Sequence, residues 1–290
     1  MNKYINDFIN DRKSYCSDKT ILYYTENLKK FSSWLDKNEI NVSDLSAGVL
    51  KDYILDLRGT GVKNTSCNTY YRAVKVFCKW LYNKNVFSDD ITLNIKQPRN
   101  DADIVRPLLI NEAALCDQVF LSGIENGLRN FCIFHLMLDC GLRRQEVINL
   151  HFSDVSENYI TIRNTKFNKS RVVLLPAFLY KSINNYAAGQ YNMFLDRHYK
   201  EQITINTIRK IFANLKKQSG VVRVHPHLLR HTFATSYLYN GGNMEMLRLL
   251  LGHADYNITQ NYLHLVAQEQ LIGSDIYQID DIFFKNKNKR

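Results

Sequence analysis

The chain has 290 residues, of which 45% are hydrophobic, and its formal net charge is +10. This length and apolar content are sufficient for two ordinary domains with separate cores, and they exclude a chain that is disordered over most of its length. No stretch approaches the roughly 18 uncharged apolar residues of a membrane-spanning helix, and the first residues are charged where a signal peptide would be apolar. We therefore expect a cytoplasmic protein with no membrane partner.

The positive charge and the cysteine spacing indicate which kinds of partner and site this protein could have. The excess of Lys and Arg produces a field that attracts a polyanion, and duplex DNA presents about one phosphate charge per 1.7 Å of its axis. A net charge of this size can also serve solubility alone, so charge by itself does not decide for nucleic acid. The six cysteines show no Cys-x-x-Cys spacing, and we interpret them as reduced core residues rather than a disulfide framework or a zinc site.

The first hundred residues are predicted to form a helical domain. Apolar residues recur at three- and four-residue steps in three segments, which indicates helices with one buried face. These helices extend from Thr20 to Asn38, from Ser43 as the N-cap to Arg58, and from Thr65 to Asn85. A short helix over residues 3–12 completes a four-helix domain at 1–98. A linker at 99–107 follows, because Pro98 and Pro107 disfavour helix on either side of a polar run.

The remaining residues, 108–290, are predicted to be mainly helical with one small β-sheet. Two β-rich runs, 159–163 and 171–175, are separated by a polar stretch and predict a hairpin with Lys166 at its turn. Helices are predicted around this hairpin, at about 110–120, 126–139, Thr204 to Gln218, 226–240, 244–251 and 257–265. The Lys- and Asn-rich residues 285–290 are expected to be disordered.

Three short segments of the second half together carry one catalytic pattern. They are GLRRQEV (141–147), HLLRHTFAT (227–235) and LGHADYNITQNY (251–262). Each segment alone would arise by chance in many proteins, but their order and spacing are specific. In these segments the chain resembles the tyrosine recombinases of the phage-integrase family, in particular the Xer-like members. The resemblance extends over most of the chain and implies a SAM-like core-binding domain followed by the family's catalytic domain.

The resemblance places Arg143, His227 and Arg230 at the scissile phosphate. A phosphodiester resists attack because its anionic oxygens repel a nucleophile, and a planar guanidinium can bind two such oxygens at once. His227 lies three residues before Arg230, so both would project from one face of a helix. Glu146 lies three residues after Arg143 and is expected to hold its guanidinium in place. Three neighbours are not expected to contact the phosphate, namely Arg144, His225 and His231.

The same resemblance implies the nucleophile and the proton donor. Tyr262 follows His253 by nine residues and matches the family's nucleophile, with Tyr256 as the nearest alternative. His253 is expected to donate a hydrogen bond to the transition-state oxygens. Lys166 occupies the position of the lysine that protonates the 5′-oxygen leaving group. Lys169 competes for this role, because this chain lacks the glycines that the family usually has beside the lysine.

By resemblance, the chain is a site-specific recombinase that forms a 3′-phosphotyrosyl bond and passes through a Holliday junction. A homotetramer would act on two double-stranded DNA sites, with or without accessory proteins. No ATP, metal ion or other cofactor is expected, because the covalent intermediate keeps the phosphoester energy. The alternatives are strand relaxation as in type IB topoisomerases, hairpin telomere resolution, and DNA binding without catalysis. Chromosome-dimer resolution, integration or excision of an element, and DNA inversion all remain open as the biological role.

The segment after Tyr262 contains further apolar residues at three- to four-residue steps. Ile276, Ile279 and Phe283 belong to this pattern, which predicts a short helix with one apolar face over residues 274–284. This face would either pack on its own domain or dock into a neighbouring protomer, as the resemblance suggests.

Overall fold

The computed structural model of the protein describes residues 1–93, 95–96, 105–163, 170–187, 194, 201–252 and 256–283. The chain divides into two units, Met1–Asp103 and Ile104–Arg290, each with its own hydrophobic core. The described residues are mainly helical with one two-stranded sheet, which confirms the predicted fold class. Within these described ranges, no helix has the length and apolar character that a membrane crossing requires.

The first unit is a bundle in which one helix packs against the other three. Its helices are α1 (Asn2–Lys13), α2 (Asp18–Lys37), α3 (Ala47–Gly59) and α4 (Asn64–Asn83), with α4 against the rest. Phe8 of α1 is fully buried and makes edge contacts with Phe77 and Trp80 of α4 at ring-centroid distances of 5.4 and 5.6 Å. Such aromatic pairs add to the stabilisation from apolar burial.

The third helix begins later than the sequence predicted. Ser43 lies in a short 3₁₀ turn, Val42–Asp44, whose Asp44 carboxylate accepts the N–H of Asn41 at 3.1 Å. Ser46 is the N-cap instead, and its hydroxyl accepts the N–H of Val49 at 3.3 Å. The local side-chain bond of Asp44 competes with helix at this point, so the regular helix starts one turn downstream.

The second unit places most of its helices around α6 and α10. Its helices are α5 (Ile110–Leu121), α6 (Gly127–Leu138), α7 (Arg144–Ile148), α8 (Ala177–Ala187), α9 (Ile205–Ser219), α10 (Pro226–Tyr239), α11 (Met244–Leu251) and α12 (Tyr256–Ile272). Helix α6 packs against α5, α7, α8 and α10, while α10 also packs against α11 and α12. Ten consecutive or near-consecutive positions of α10 are buried, which shows that this helix is central to the unit.

The predicted hairpin is present. Strand β1 (Tyr159–Ile162) pairs antiparallel with β2 (Arg171–Leu174), and Ile162 lies opposite Arg171 in the register. Helix α11 contacts β2, so the start of this strand lies beside the end of α11. All six cysteines are free thiols and five of them are buried, in agreement with their interpretation as reduced core residues.

The predicted helix over 274–284 is wrong. Of the described residues 274–283, only Asp281–Phe283 are helical, as a short 3₁₀ turn, and Ile276 forms an isolated antiparallel bridge with Leu109. Ile276 is fully buried, and the Phe283 ring packs edge-on against Phe233 of α10 at 5.3 Å. The apolar residues are thus buried within the chain's own second unit by pairing with the segment before α5, and this long-range pairing satisfies the backbone without a helix.

A buried charged network also fixes this tail. His135 of α6 is 3% exposed, and its ring nitrogens bond to Asp139 at 2.7 Å and to Asp117 of α5 at 2.9 Å. The hydroxyl of Tyr277 donates to Asp139 at 2.9 Å. Burial alone would lower the pKa of His135, but the hydrogen bonds and charges of the two carboxylates outweigh it and raise the pKa to about 9. The imidazolium therefore joins α5, α6 and the tail.

We expect this network to make stability depend on pH. The pKa of His135 is higher in the folded than in the unfolded state, so its contribution is complete below about pH 6.5 and is lost as the pH rises through 9. The free energy of unfolding should fall by up to about 3 kcal/mol over this window. Urea unfolding at several pH values checks this, with His135→Gln as the comparison. An equal pH dependence in both proteins contradicts the assignment.

Candidate active site

Arg143 stands at the N-terminal end of α7 and is held there by Glu146. The backbone N–H of Arg143 donates to Glu146 Oε2 at 2.7 Å, and its Nη1 donates to Oε1 at 2.9 Å. The three-residue spacing predicted that Arg143 and Glu146 lie on one helical face. Arg143 is instead the N-cap residue of α7, with φ −72° and ψ 149°. Glu146, three residues later, bonds back to the cap as in a capping box. The guanidinium is fixed while 38% of the side chain stays exposed.

The same carboxylate binds a second guanidinium, from Arg171 at the start of β2. Nη1 and Nη2 of Arg171 each donate to one oxygen of Glu146 at 2.7 Å, which is the bidentate geometry of a strong ion pair. Burial alone would raise the pKa of Glu146, but the hydrogen bonds and charges of Arg171 and Arg143 outweigh it and lower the pKa to about 2. The carboxylate is therefore ionised at neutral pH and joins α7 to the hairpin.

The C-terminal end of α11 gathers three arginines. The carbonyls of Leu250, Leu251 and Gly252 accept, in this order, from Arg171 Nε at 2.7 Å, Arg230 Nη2 at 2.7 Å and Arg143 Nη2 at 3.0 Å. Carbonyls at this end of a helix have no partner within the helix and carry the negative end of its dipole. Three consecutive carbonyls thus place three guanidiniums around one point, directly before position 253.

Two glycines of the motifs make this approach possible. Gly252 ends α11 with φ 61°, and a Cβ at this residue would lie 3.2 Å from two side-chain atoms of Arg171. Gly141 has φ 64°, and a Cβ there would lie 2.6 Å from the Phe233 ring. Both the left-handed backbone and the close neighbours therefore favour glycine at these positions. The carbonyl of Gly141 accepts from Arg230 Nη1 at 2.6 Å.

Arg230 is the buried member of the arginine cluster. It is 7% exposed on α10, and its two terminal nitrogens donate to backbone carbonyls on different segments, those of Gly141 and Leu251. Burial lowers the pKa of Arg230 to about 9, and the positive charge of Arg143 acts in the same direction. The guanidinium is still charged at neutral pH. A cation held in this way is preorganised, because it does not reorient when negative charge develops beside it.

Tyr262 lies on α12 within the electrostatic field of these arginines. Burial raises the pKa of Tyr262, whereas the charges of Arg230 and Arg143 act against this effect. Its ring lies against the ring of His231, with centroids 5.2 Å apart and planes inclined by 41°. The structure therefore brings together Arg143, Arg230, Glu146 and Tyr262 from α7, α10 and α12.

His227 is exposed on the first turn of α10, after Pro226 at the first helical position. Partial burial lowers its pKa, and the nearby charges of His225, Arg144 and Arg230 act in the same direction. A neutral imidazole at this position can donate or accept a proton near neutral pH. His227 is thus placed beside the cluster on its accessible side.

Several predicted residues lie outside the described part of the chain. These are Lys166, its competitor Lys169, and His253, together with the side chain of Tyr256. Their roles stay predictions.

Sequence reasoning missed two residues of this site. Arg171 begins a β-rich apolar run, where a charged residue signals a specific partner, but nothing in the sequence pairs it with Glu146 at 25 residues' distance. His231 was considered only as a phosphate contact, which it was not expected to make, and its ring contact with Tyr262 was not predicted. The contact depends on how α10 packs against α12, which the spacing along one helix does not reveal.

Comparisons with known proteins identify the family and the fold of this chain. Residues 117–269 match the phage integrase family, and residues 1–85 match the phage integrase N-terminal SAM-like domain. A tyrosine recombinase of Pseudothermotoga lettingae is 30% identical over 88% of this chain and 90% of its own, and a tyrosine recombinase XerC of Listeria innocua is 26% identical over 90% and 92%. The Tn1549 transposon integrase, solved with circular-intermediate DNA, has a similar fold with a TM-score of 0.74 and 16% identity over 94% of this chain and 98% of its own.

Proposed function

Because this chain belongs to the phage integrase family and is a tyrosine-type site-specific recombinase, we propose that Tyr262 is its nucleophile. The phenolic oxygen bonds to the scissile phosphorus and loses its proton to solvent. The bond from phosphorus to the 5′ oxygen breaks, and this oxygen takes a proton from Lys166. A 3′-phosphotyrosyl bond remains, and the 5′-hydroxyl of a partner strand reverses the step on a new strand. Neither step requires ATP, because the phosphoester bond is exchanged and not hydrolysed.

The packing of α12, which carries Tyr262, against α10, which carries Arg230, is the observation that carries this proposal. The charges of Arg230 and Arg143 act on the phenol against the effect of its burial, and so favour the phenolate that must attack. In the DNA complex the same two guanidiniums bind the non-bridging oxygens, where negative charge develops in the transition state. Arg143 is the more exposed of the two, whereas Arg230 is held in place by the carbonyls of Gly141 and Leu251 before DNA binds.

His227 and His253 complete the proposed set. His227 lies at the accessible end of α10 and is proposed to donate to a phosphate oxygen. His253 directly follows Gly252 in the sequence and is proposed to donate a hydrogen bond to the same phosphate. Glu146 touches no reacting atom in this proposal and instead orients Arg143 and Arg171.

The chain binds a DNA recombination site, and we propose that four copies assemble on two such sites. The net charge of +10 supports binding to a polyanion. We propose residues 1–98 as a DNA-binding domain, 99–107 as a linker, and 108–290 as the catalytic domain. We expect this protein alone to recombine two copies of the site. Failure to do so would indicate that a second recombinase or an accessory protein is required.

Covalent capture tests the proposed function and identifies the DNA site in the same experiment. The protein is incubated with sheared genomic DNA, denatured with detergent, and recovered with any DNA attached to it. Sequencing of the attached ends should give one short sequence with the protein on a 3′ phosphate. Random ends, or no attached DNA beyond that of a Tyr262→Phe control, would contradict the proposal. The mapped site also identifies the chromosomal or element context in which the enzyme acts.

The role of Lys166 predicts a specific chemical rescue. Lys166→Ala should slow cleavage of ordinary DNA by roughly 100-fold or more, because the 5′ alkoxide leaves without a proton. A substrate with sulfur at the 5′ bridging position should restore cleavage, since a thiolate leaves without protonation. Single-turnover cleavage of both substrates measures this, with Lys169→Ala as the matched control. Equal impairment on both substrates contradicts the assignment, and rescue of Lys169→Ala alone transfers the role to Lys169.

A further inference from the structure

Residues 105–108, at the start of the second unit, bind the helix that carries Arg230. The carbonyl of Val105 lies 2.6 Å from Nε2 of His231. The N–H of Leu108 donates to the hydroxyl of Thr232 at 2.8 Å. His231 and Thr232 directly follow Arg230 on α10. The segment is therefore bonded twice to α10 beside the arginine cluster.

The same segment binds the helix that carries Tyr262. The guanidinium of Arg106 donates to Glu269 of α12 at 3.3 Å and to the Ser274 hydroxyl at 3.1 Å. Glu269 is 1% exposed and lies seven residues, or about two turns, after Tyr262. A buried carboxylate requires such a partner, so Arg106 fixes α12 relative to the segment.

A third side chain, that of Arg223, also binds the segment. Arg223 donates to the carbonyls of Arg106 and Pro107 at 2.6 and 2.7 Å, and its guanidinium also pairs with Glu112 of α5. Leu108 is fully buried in the core. Residues 105–108 thus form a rigid part of the second unit, and a side chain bonded to their backbone is rigid as well.

The ring of His231 connects this rigid segment to the phenol of Tyr262. A carbonyl only accepts hydrogen bonds, so Nε2 of His231 carries the hydrogen that Val105 receives, and this bond fixes the orientation of the ring. The fixed ring lies against Tyr262 at a centroid distance of 5.2 Å. Both rings lie between α10 and α12, the two helices that the segment joins.

We propose that His231 is a positioning residue for Tyr262, which holds the phenol in line with the scissile phosphate through a ring contact fixed by the Val105 carbonyl. This inference rests on the proposed function. His231 touches neither the phosphate nor the leaving group, and its effect is confined to where the phenolic oxygen stands. A nucleophile displaced by about 1 Å can lose about 100-fold in rate, so a contact of this kind has a measurable effect.

A comparison of two nucleophiles at the same phosphate can show whether His231 acts by positioning Tyr262 or in another way. In the parent protein the phenol attacks. In a Tyr262→Phe background, hydroperoxide anion added to the solution can attack the same phosphorus, with the 5′ oxygen leaving and taking a proton as before. Both reactions use the cations around the phosphate, but only the first depends on where the phenol stands. A positioning residue for Tyr262 therefore affects only the first.

We expect His231→Ala to lower single-turnover cleavage by Tyr262 roughly 10- to 100-fold. In the Tyr262→Phe background it should change peroxide-driven cleavage by no more than about twofold, and in both backgrounds the Kd for DNA should be unchanged. His231→Phe keeps a ring beside the phenol but cannot donate to Val105, so its cleavage rate should lie between those of parent and His231→Ala. His225→Ala is the matched control. His225 is the N-cap residue of α10, and its ring also bonds to a backbone carbonyl, that of Arg223.

Equal losses in the two reactions would overturn the inference, because His231 would then act on the phosphate or on the fold as a whole. Unchanged cleavage by Tyr262 in His231→Ala would overturn it as well. If His231→Ala does not fold, His231→Phe decides between the same outcomes. These outcomes differ from failure of the proposed function. In that case the parent protein itself would form no covalent DNA adduct, and the inference about His231 would be wrong as well.

Discussion

Replacement of Tyr262 by phenylalanine is expected to abolish covalent attachment to DNA and to leave DNA affinity nearly unchanged. Only the hydroxyl is removed, and the ring that packs against His231 remains. The arginine cluster, which binds the phosphate in our proposal, keeps its contacts with α11. We expect loss of covalent product by a factor of at least about 10⁴, since no other group replaces the nucleophile.

A nicked DNA substrate measures this loss as detergent-resistant protein–DNA adduct, with binding measured separately by gel shift. Tyr256→Phe is the matched control, because Tyr256 is the tyrosine of the same motif nearest to the proposed nucleophile. An adduct that persists in Tyr262→Phe and disappears in Tyr256→Phe would move the nucleophile to Tyr256. Loss of DNA binding in Tyr262→Phe would mean that the residue has a different role.

Replacement of Arg230 by alanine should lower the cleavage rate by roughly 100- to 1,000-fold or more. The variant loses the buried cation that we propose to bind the phosphate, and the carbonyls of Gly141 and Leu251 lose their donor. Arg230→Lys should recover little, because one ammonium cannot reproduce a planar fork that bonds two carbonyls on different segments. The DNA affinity should fall by a smaller factor than the cleavage rate, because many other Lys and Arg side chains contribute to DNA binding.

Single-turnover cleavage and the melting temperature should be measured together for these variants. Arg248→Ala is the matched control on α11, because the guanidinium of Arg248 pairs with Glu245 one turn earlier on the same helix. A folded Arg230→Ala protein that cleaves at a rate near that of the parent would remove Arg230 from the catalytic group.

Local patterns were sufficient to predict most of the helices. The stripe of α4 and the Pro at the start of α10 involve residues within one or two turns of each other, so the sequence contains the whole signal. The motif residues Arg143, Arg230 and Tyr262 could be named in the same way. Their resemblance to a known pattern supplied the roles that spacing alone does not.

Long-range contacts were the part that the sequence did not reveal. Glu146 was expected to serve Arg143, but its bidentate partner is Arg171, on a strand 25 residues away. The tail carries a helical spacing of apolar residues, yet Ile276 forms an isolated β-bridge with Leu109, 167 residues before it. In each case the partner is set by tertiary packing, which overrides the local preference.

We propose that this chain exchanges DNA strands through Tyr262. Two labelled duplexes of different length that carry the mapped site should be incubated with the protein without ATP. We predict joint molecules and two full recombinants, each combining one arm of each duplex, from the parent protein, and none from Tyr262→Phe. Relaxation or resealing of the original strands without joint molecules would contradict the claim, because it would show cleavage by the same chemistry without exchange between partners.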